Sequence, residues 1–168
     1  MKMASDGKWK ASLLTSKPAN EAAPTLAELQ AGIEISCNVL DSDKSWTNTA
    51  SATSDEKPAC VKGQVQSLGA SNYDLALTFL REYLQSGGAD VAGEDAGYQA
   101  VKTKGSEVWI YARETDQDSV DPWVAGDEIY LGGRVHSDAP ARVDQVGNIK
   151  RRITFLPQSM HENIAVAA

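Results

Sequence analysis

The stretch Asn72–Glu82, NYDLALTFLRE, constrains the fold more than any other part of the chain. Its residues alternate between large apolar side chains and polar or smaller ones, a period of two that is typical of a half-buried antiparallel strand. A helix is the alternative, because several of the same apolar residues also lie at helical spacing. We favour the strand, since the run ends in polar residues before Gly87-Gly88 and other strand-like runs follow it. The face predicted to be buried carries Tyr73, Leu75, Leu77 and Phe79.

Further runs of apolar residues predict the other strands. The run Glu107–Glu114 is apolar on both faces, which is typical of a strand at the centre of a sheet or at a subunit interface. A turn at Gly69–Ser71 predicts a hairpin that joins Val61–Leu68 to Asn72–Glu82. The remaining predicted strands are Lys8–Ser16, Ile33–Leu40, Glu128–Val135 and Asn148–Leu156, with Pro157 interrupting the last and Glu162–Ala167 resuming the sheet.

A short helix is expected at Pro24–Gly32, because Pro24 suits the first helical turn and Gly32 can end it. One or two helical turns are expected at Gly97–Thr103, and Gly132-Gly133 is expected to mark a bend or bulge. Together the elements predict a mainly β fold, an antiparallel β-sandwich or partly closed barrel with one short α-helix after the first strand.

The composition fits one soluble domain that spans residues 1–168 and is long enough to bury a core. No apolar run approaches the roughly 20 residues that span a bilayer. The first ten residues, MKMASDGKWK, lack the apolar segment of a secretory signal, so the protein is expected to stay in the compartment where it is made. The net charge of −7 argues against tight binding to nucleic acid, which needs a basic surface.

The chain offers few ligands for a metal or cofactor. It contains two cysteines, two histidines and no CxxC pair, so a zinc site is not expected. Cys37 and Cys60 are interpreted as free thiols, and a disulfide between them is the alternative. The run Asp116–Asp121, DQDSVD, resembles the start of a calcium loop, but Val120 stands where an oxygen ligand is required. We therefore interpret this run as a solvated acidic loop.

No nucleophile, phosphate-binding or metalloprotease motif occurs in the sequence. An enzyme is therefore disfavoured, and neither a catalytic residue nor a cofactor is expected. The basic triplet Lys150-Arg151-Arg152 lies in a predicted strand, where its members point to two different faces. This arrangement favours an interface or salt-bridge role over nucleic-acid binding.

The segment Asp41–Pro58 is rich in Ser, Thr, Asp and Lys, with one short strand-like piece at Ser45–Thr53. It is either a flexible loop or a long hairpin that extends away from the core. Trp46 is the one large apolar side chain of this piece. It either contacts a partner from an exposed position or folds back onto the core, and both interpretations stay open.

Three parts of the chain resemble the major tail proteins, or tail tube proteins, of phages with long non-contractile tails. Pro24–Ser36 resembles the short helix of that family that runs into a strand. Asn72–Glu82 resembles a family strand in which Leu, Thr and Phe alternate before a charged residue. In the C-terminal half, the closing strands of the family resemble Val108–Glu114, Gly126–Val135 and Val146–Ala167.

The resemblance implies a structural virion protein. Members form six-fold rings that stack into a tube, and strands from every subunit form the inner wall. DNA passes through the lumen on ejection without specific binding, since an acidic lumen repels phosphate. The implied partners are further copies of the chain, the tape measure protein, the tail terminator and the tail tip or baseplate proteins. No membrane contact is implied. The implied location is the virion tail, assembled in the host cytoplasm.

Two assembly contacts are predicted. An apolar seam between neighbouring subunits is assigned to Trp109 and Tyr111 on one face of Val108–Ala112. A contact between stacked rings is assigned to the polar segment Asp41–Pro58, because of its length and because it contains Trp46. The residues assigned to this contact are Asp41, Asp43, Lys44, Trp46, Asp55, Glu56 and Lys57.

Two alternative functions stay open. One is another ring-forming tail protein of similar fold, such as a tail terminator or baseplate hub, which caps a tube instead of extending it. The other is a monomeric β-sandwich binding module. Exposed aromatic residues would favour that module, but aromatic residues make up 7% of the chain and are scattered.

Overall fold

The computed structural model describes residues 2–143 and 146–168, and Met1, Asp144 and Gln145 lie outside the described residues. Within these ranges the chain forms ten strands and two short helices. The helices are α1 (Leu26–Ala31) and α2 (Ala96–Val101). The strands are β1 (Trp9–Leu14), β2 (Ile33–Glu34), β3 (Val39–Thr49), β4 (Thr53–Ser54), β5 (Ser67–Leu68), β6 (Asn72–Leu80), β7 (Glu107–Glu114), β8 (Glu128–Ser137), β9 (Ala141–Arg142) and β10 (Lys150–Ala165).

The main sheet has eight strands in the order β2-β1-β7-β8-β10-β6-β3, with β9 paired to β10. Neighbouring strands are antiparallel, and the sheet curls into a half-barrel. A separate two-stranded ribbon is formed by β4 and β5. The prediction of a mainly β, antiparallel fold is confirmed. The structure has two short helices instead of one, because the turns expected near Gly97–Thr103 form α2.

Two clusters of buried side chains lie on opposite faces of β7. Val108, Ile110 and Ala112 contribute to the larger cluster, which also contains the buried face predicted for β6. Trp109 and Tyr111 contribute to the smaller cluster, together with Leu29 of α1. Because β7 pairs with β1 and β8 and is covered on both faces, the interpretation of this strand as central is confirmed.

The helix expected at Pro24–Gly32 is α1, and a capping box defines its start. Thr25 accepts a hydrogen bond from the Glu28 amide at 3.3 Å, and the Glu28 carboxylate accepts one from the Thr25 amide at 2.8 Å. This reciprocal pair satisfies two amide groups that would otherwise lack partners. Pro24 therefore precedes the cap instead of lying in the first turn. The amide of Gly32 ends the helix by donating to the carbonyls of Glu28 and Leu29.

The strand β10 connects the two parts of the curled sheet. Residues 150–154 pair with β6, and residues 155–165 pair with β8. The expectation that Pro157 interrupts the strand is wrong, since the 16 residues form one strand. The register of β10 against β8 shifts between Pro157 and Ser159, and this shift accommodates the proline side chain. The bulge expected at Gly132-Gly133 is thus in the facing strand.

The prediction of one strand over Ile33–Leu40 is wrong, because the chain turns at residues 36–38. The amide of Ile35 donates to the Ala11 carbonyl at 3.2 Å, and its side chain is fully buried. The Asn38 amide then donates back to the Ile35 carbonyl at 3.1 Å. This turn moves the chain from the edge of β1 to the edge of β6, where β3 begins.

The hairpin predicted between Val61–Leu68 and β6 is also wrong. Within Val61–Leu68 the structure has the short strand β5, which pairs with β4 at Thr53 and Leu68. Gly69 donates to the Ala52 carbonyl at 2.6 Å, so Gly69–Ser71 lies inside one arm of a longer hairpin.

None of the helices in the described ranges is long and apolar enough to cross a membrane.

Candidate assembly surfaces

The polar segment Asp41–Pro58 forms one arm of a long hairpin, and β5 and β6 form the other arm. A long hairpin is one of the two alternatives predicted from the composition. Its base is β3 paired with β6, and its tip is the ribbon of β4 and β5. Between base and tip, the Ala52 amide donates a hydrogen bond to the Ala70 carbonyl at 2.9 Å. Residues 52–60 and 62–70 are exposed, and Leu68 is an exposed large apolar residue. The tip therefore extends from the body of the subunit.

Trp46 folds back onto the core, as the second interpretation had it. Its side chain is 4% exposed, and its ring meets Phe155 edge to face at a centroid distance of 5.9 Å. The indole Nε1 donates to the carbonyl of Leu131 at 3.2 Å. Trp46 therefore anchors the base of the hairpin to β8 and β10 and offers almost no surface to another subunit.

The residues assigned to the ring-to-ring contact do not lie together. Asp55, Glu56 and Lys57 are exposed beyond β4, in the tip. Asp41, Asp43 and Lys44 lie at the other end of β3, near the start of the hairpin. Lys44 pairs with Asp41 and lies 5.3 Å from the centroid of a Trp9 ring. The prediction assigned both ends of the segment to one contact because of its length and Trp46, but the 11-residue strand β3 separates these ends.

The side chains of Trp109 and Tyr111, assigned to the seam, are covered by their own subunit. They are 5% and 0% exposed. Trp109 donates to the Glu21 carboxylate at 3.0 Å, and the Tyr111 hydroxyl donates to the Glu21 carbonyl at 2.9 Å. The indole hydrogen bond holds the pKa of Glu21 below its usual range, and burial raises the pKa of Tyr111. In this structure neither side chain presents an accessible seam.

One end of the main sheet leaves a long row of backbone groups open, and the other end is partly covered. In the described ranges no strand pairs with the outer edge of β3, which is 11 residues long. At the other end β2 pairs with β1 at Ser12 and Leu13. The Ala11 carbonyl of the same edge accepts from the Ile35 amide, and the Ala11 amide donates to the Ser36 hydroxyl. A strand edge with open amide and carbonyl groups is a template for pairing with another chain. These edges are candidates for contacts between subunits that the apolar pattern of the sequence could not reveal.

The acidic loop after β7 is organised by Arg113, whose side chain is fully buried. Its guanidinium donates to the carbonyls of Asp118, Asp121 and Pro122 at 3.0–3.2 Å and to the carboxylate of Asp127. It also lies 5.1 Å from the centroid of Trp123. An internal cation thus holds the oxygen-rich loop that resembled a calcium site. Alternation in β7 signals this role, because it puts Arg113 on the same buried face as Tyr111.

A family model described as phage tail tube protein matches residues 1–168. The chain belongs to the phage tail tube protein family. No curated protein and no solved structure matches it. The family resemblance inferred from the sequence is therefore confirmed.

A second buried ion pair of this tail tube protein was not predicted. Arg81 donates to both carboxylate oxygens of Asp95 at 2.8 and 2.9 Å, and Asp95 is fully buried. Gln99 adds a donor at 2.6 Å, and the Arg81 guanidinium lies 3.8 Å from the centroid of Tyr98. Burial raises the pKa of Asp95, but the hydrogen bonds outweigh it and keep that pKa below its usual range. The pair joins the end of β6 to α2, elements that sequence spacing does not bring together.

Proposed function

We propose that this protein is the structural subunit of the tail tube of a phage with a long non-contractile tail. Six copies form a ring, rings stack into a tube, and the tube conducts the genome during ejection. The observation that carries the proposal is the family match over all 168 residues. The protein acts as one structural domain in the virion tail and not as an enzyme. It contacts further copies of itself and other tail components, namely the tape measure, terminator and tail tip or baseplate proteins.

The open strand edges support closure of a ring. The outer edge of β3 on one copy would pair with the partly covered edge of β1 on the next. Two different edges that meet in this way make a head-to-tail contact, which closes into a ring when the rotation per subunit allows it. Such pairing removes the edges that otherwise invite aggregation. This contact replaces Trp109 and Tyr111 as the proposed seam.

The hairpin tip supports stacking of the rings. Asp55, Glu56 and Lys57 are exposed at the end of an ordered ribbon, where they are free to contact a neighbouring ring. We assign the ring-to-ring contact to this tip, because Trp46 and Asp43 are engaged within their own subunit. The contact rests on exposure and charge, so it should weaken with increasing salt.

Replacement of residues 51–70 by Asn-Gly tests this assignment. The short loop should close β3 and β6 as a hairpin without disturbing Trp46. We expect a folded variant that forms no tubes by negative-stain electron microscopy. The control is Gln85→Ala with Ser86→Ala, which alters an exposed turn elsewhere and should leave tube formation intact. Normal tubes from the shortened variant would show that the tip does not join the rings.

A further inference from the structure

The half of the sheet formed by β3, β6 and the first residues of β10 has one apolar and one polar face. Trp46, Leu75 and Ile153 point into the core. On the other side Asp74 is paired with Thr47, and Ala76 is paired with Ser45 and Thr154. Thr47, Asp74 and Thr154 are exposed. We call this surface the hydroxyl face. The residues partly or fully exposed on it are Ser45, Thr47, Asp74, Arg152 and Thr154, and Thr78 lies on the same side of the sheet but is buried.

The hydroxyl face carries an arginine, Arg152, whose positive charge is paired with a carboxylate of the same subunit. Arg152 lies opposite Thr78 in the β6–β10 ladder, and its guanidinium donates to the carboxylate of Asp43. Thr78 is fully buried and donates to the other carboxylate oxygen of Asp43 at 2.6 Å. The β3–β6 register shifts between Val39 and Lys44, and Asp43 lies in the shifted segment. The side chains of Arg152 and Asp43 remain 34% and 32% exposed, so the pair is at the surface.

We propose that the hydroxyl face lines the passage for duplex DNA and that Asp43 masks Arg152 from the phosphates. This inference rests on the proposed function. An unpaired guanidinium binds phosphate strongly through its fork of donors, and each phosphate neutralised releases counterions. Every subunit of a ring contributes the same residue at the same height. An unmasked Arg152 would therefore form a band of positive charges around the lumen. Small hydroxyl side chains and the exposed carboxylate of Asp74 offer phosphate no comparable contact.

The masking is tested by Asp43→Asn, which leaves an amide in place of the carboxylate. Fluorescence anisotropy with a short labelled DNA duplex at low salt measures binding by the unassembled subunit. We expect the variant to bind about tenfold more tightly than the wild type, with a steeper loss of affinity as salt increases. Asp74→Asn is the matched control, because it removes one negative charge from the same face without freeing an arginine. Asp43→Asn with Arg152→Gln has the net charge of the wild type and should return the affinity to the wild-type value.

Equal DNA affinity of Asp43→Asn and Asp74→Asn would overturn the masking role. Thermal unfolding of each variant shows whether the subunit stays folded, and Arg152→Gln alone gives a second folded reference. A helical reconstruction of wild-type tubes tests the position of the face, since Thr47 and Asp74 should line the lumen. Tubes that carry these residues on the outer wall or between subunits would refute the inference alone. Failure to form any tube would instead refute the proposed function.

Discussion

Replacing Arg113 by methionine should destabilise the subunit more than the loss of any surface charge. Methionine keeps much of the side-chain volume but removes every donor to the acidic loop. The carboxylate of Asp127, which is 8% exposed, would lose its cationic partner and, among the described residues, keep only the Val124 amide as a donor. Three backbone carbonyls would lose the guanidinium as well. Breaking a buried ion pair on one side costs about 3–5 kcal/mol. For a chain of this length, each kcal/mol shifts the Tm by about 2–4 °C, so we expect a decrease of about 6–20 °C.

Calorimetry and intrinsic fluorescence provide the assay. Trp123 lies beside the Arg113 guanidinium, so the tryptophan emission of the subunit should change when that guanidinium is removed. Arg113→Lys keeps the charge but loses the fork geometry and should be intermediate. Lys57→Met removes an exposed charge from the hairpin tip and should change the stability by no more than about 0.5 kcal/mol. A loss below about 1 kcal/mol for Arg113→Met, with unchanged tryptophan emission of the subunit, would show that Arg113 does not organise the loop.

Three further perturbations test the fold. Trp46→Ala should cost about 3–5 kcal/mol in chemical denaturation and Trp46→Phe clearly less; equal losses would deny that Trp46 anchors the hairpin. Gly133→Ala should lower the Tm, because φ is 151° and a Cβ would collide with the Ser159 carbonyl, whereas Gly88→Ala has open space and should not. The depressed pKa of Asp95 contributes stability that is present above its unfolded pKa and is lost as the pH falls below about 4. Asp95→Asn should be less stable at neutral pH and should flatten that acid slope; an unchanged slope would contradict the role of the pair.

Alternation along the chain was enough to place β1, β6, β7 and β8, but not the two longest strands, β3 and β10. Glu107–Glu114 is β7 residue for residue, and the central position of this strand follows from its two apolar faces. The same pattern could not separate a core from an interface, because both bury aromatic side chains. Trp109 and Tyr111 were therefore assigned to a seam, although Glu21 and α1 cover them within the subunit.

Contacts between distant parts of the chain explain the other differences. Ile33–Leu40 alternates like one strand, but its first residues pair with β1 and its last pair with β6. Trp46 lies in a polar run. It is buried only because its side chain packs across the core against Leu131 of β8, 85 residues away in sequence. The salt bridge of Asp43 with Arg152 spans 109 residues. No local periodicity carries such pairings, so the face that they create became visible only in the folded chain.

Electron microscopy of the purified wild-type protein over a range of concentrations tests the central claim most directly. We expect uniform hollow tubes or stacked rings, with chemical crosslinking that traps closed rings of six subunits. Monodisperse single subunits at every concentration, with no closed ring trapped by the crosslinker, would contradict assembly into a tail tube.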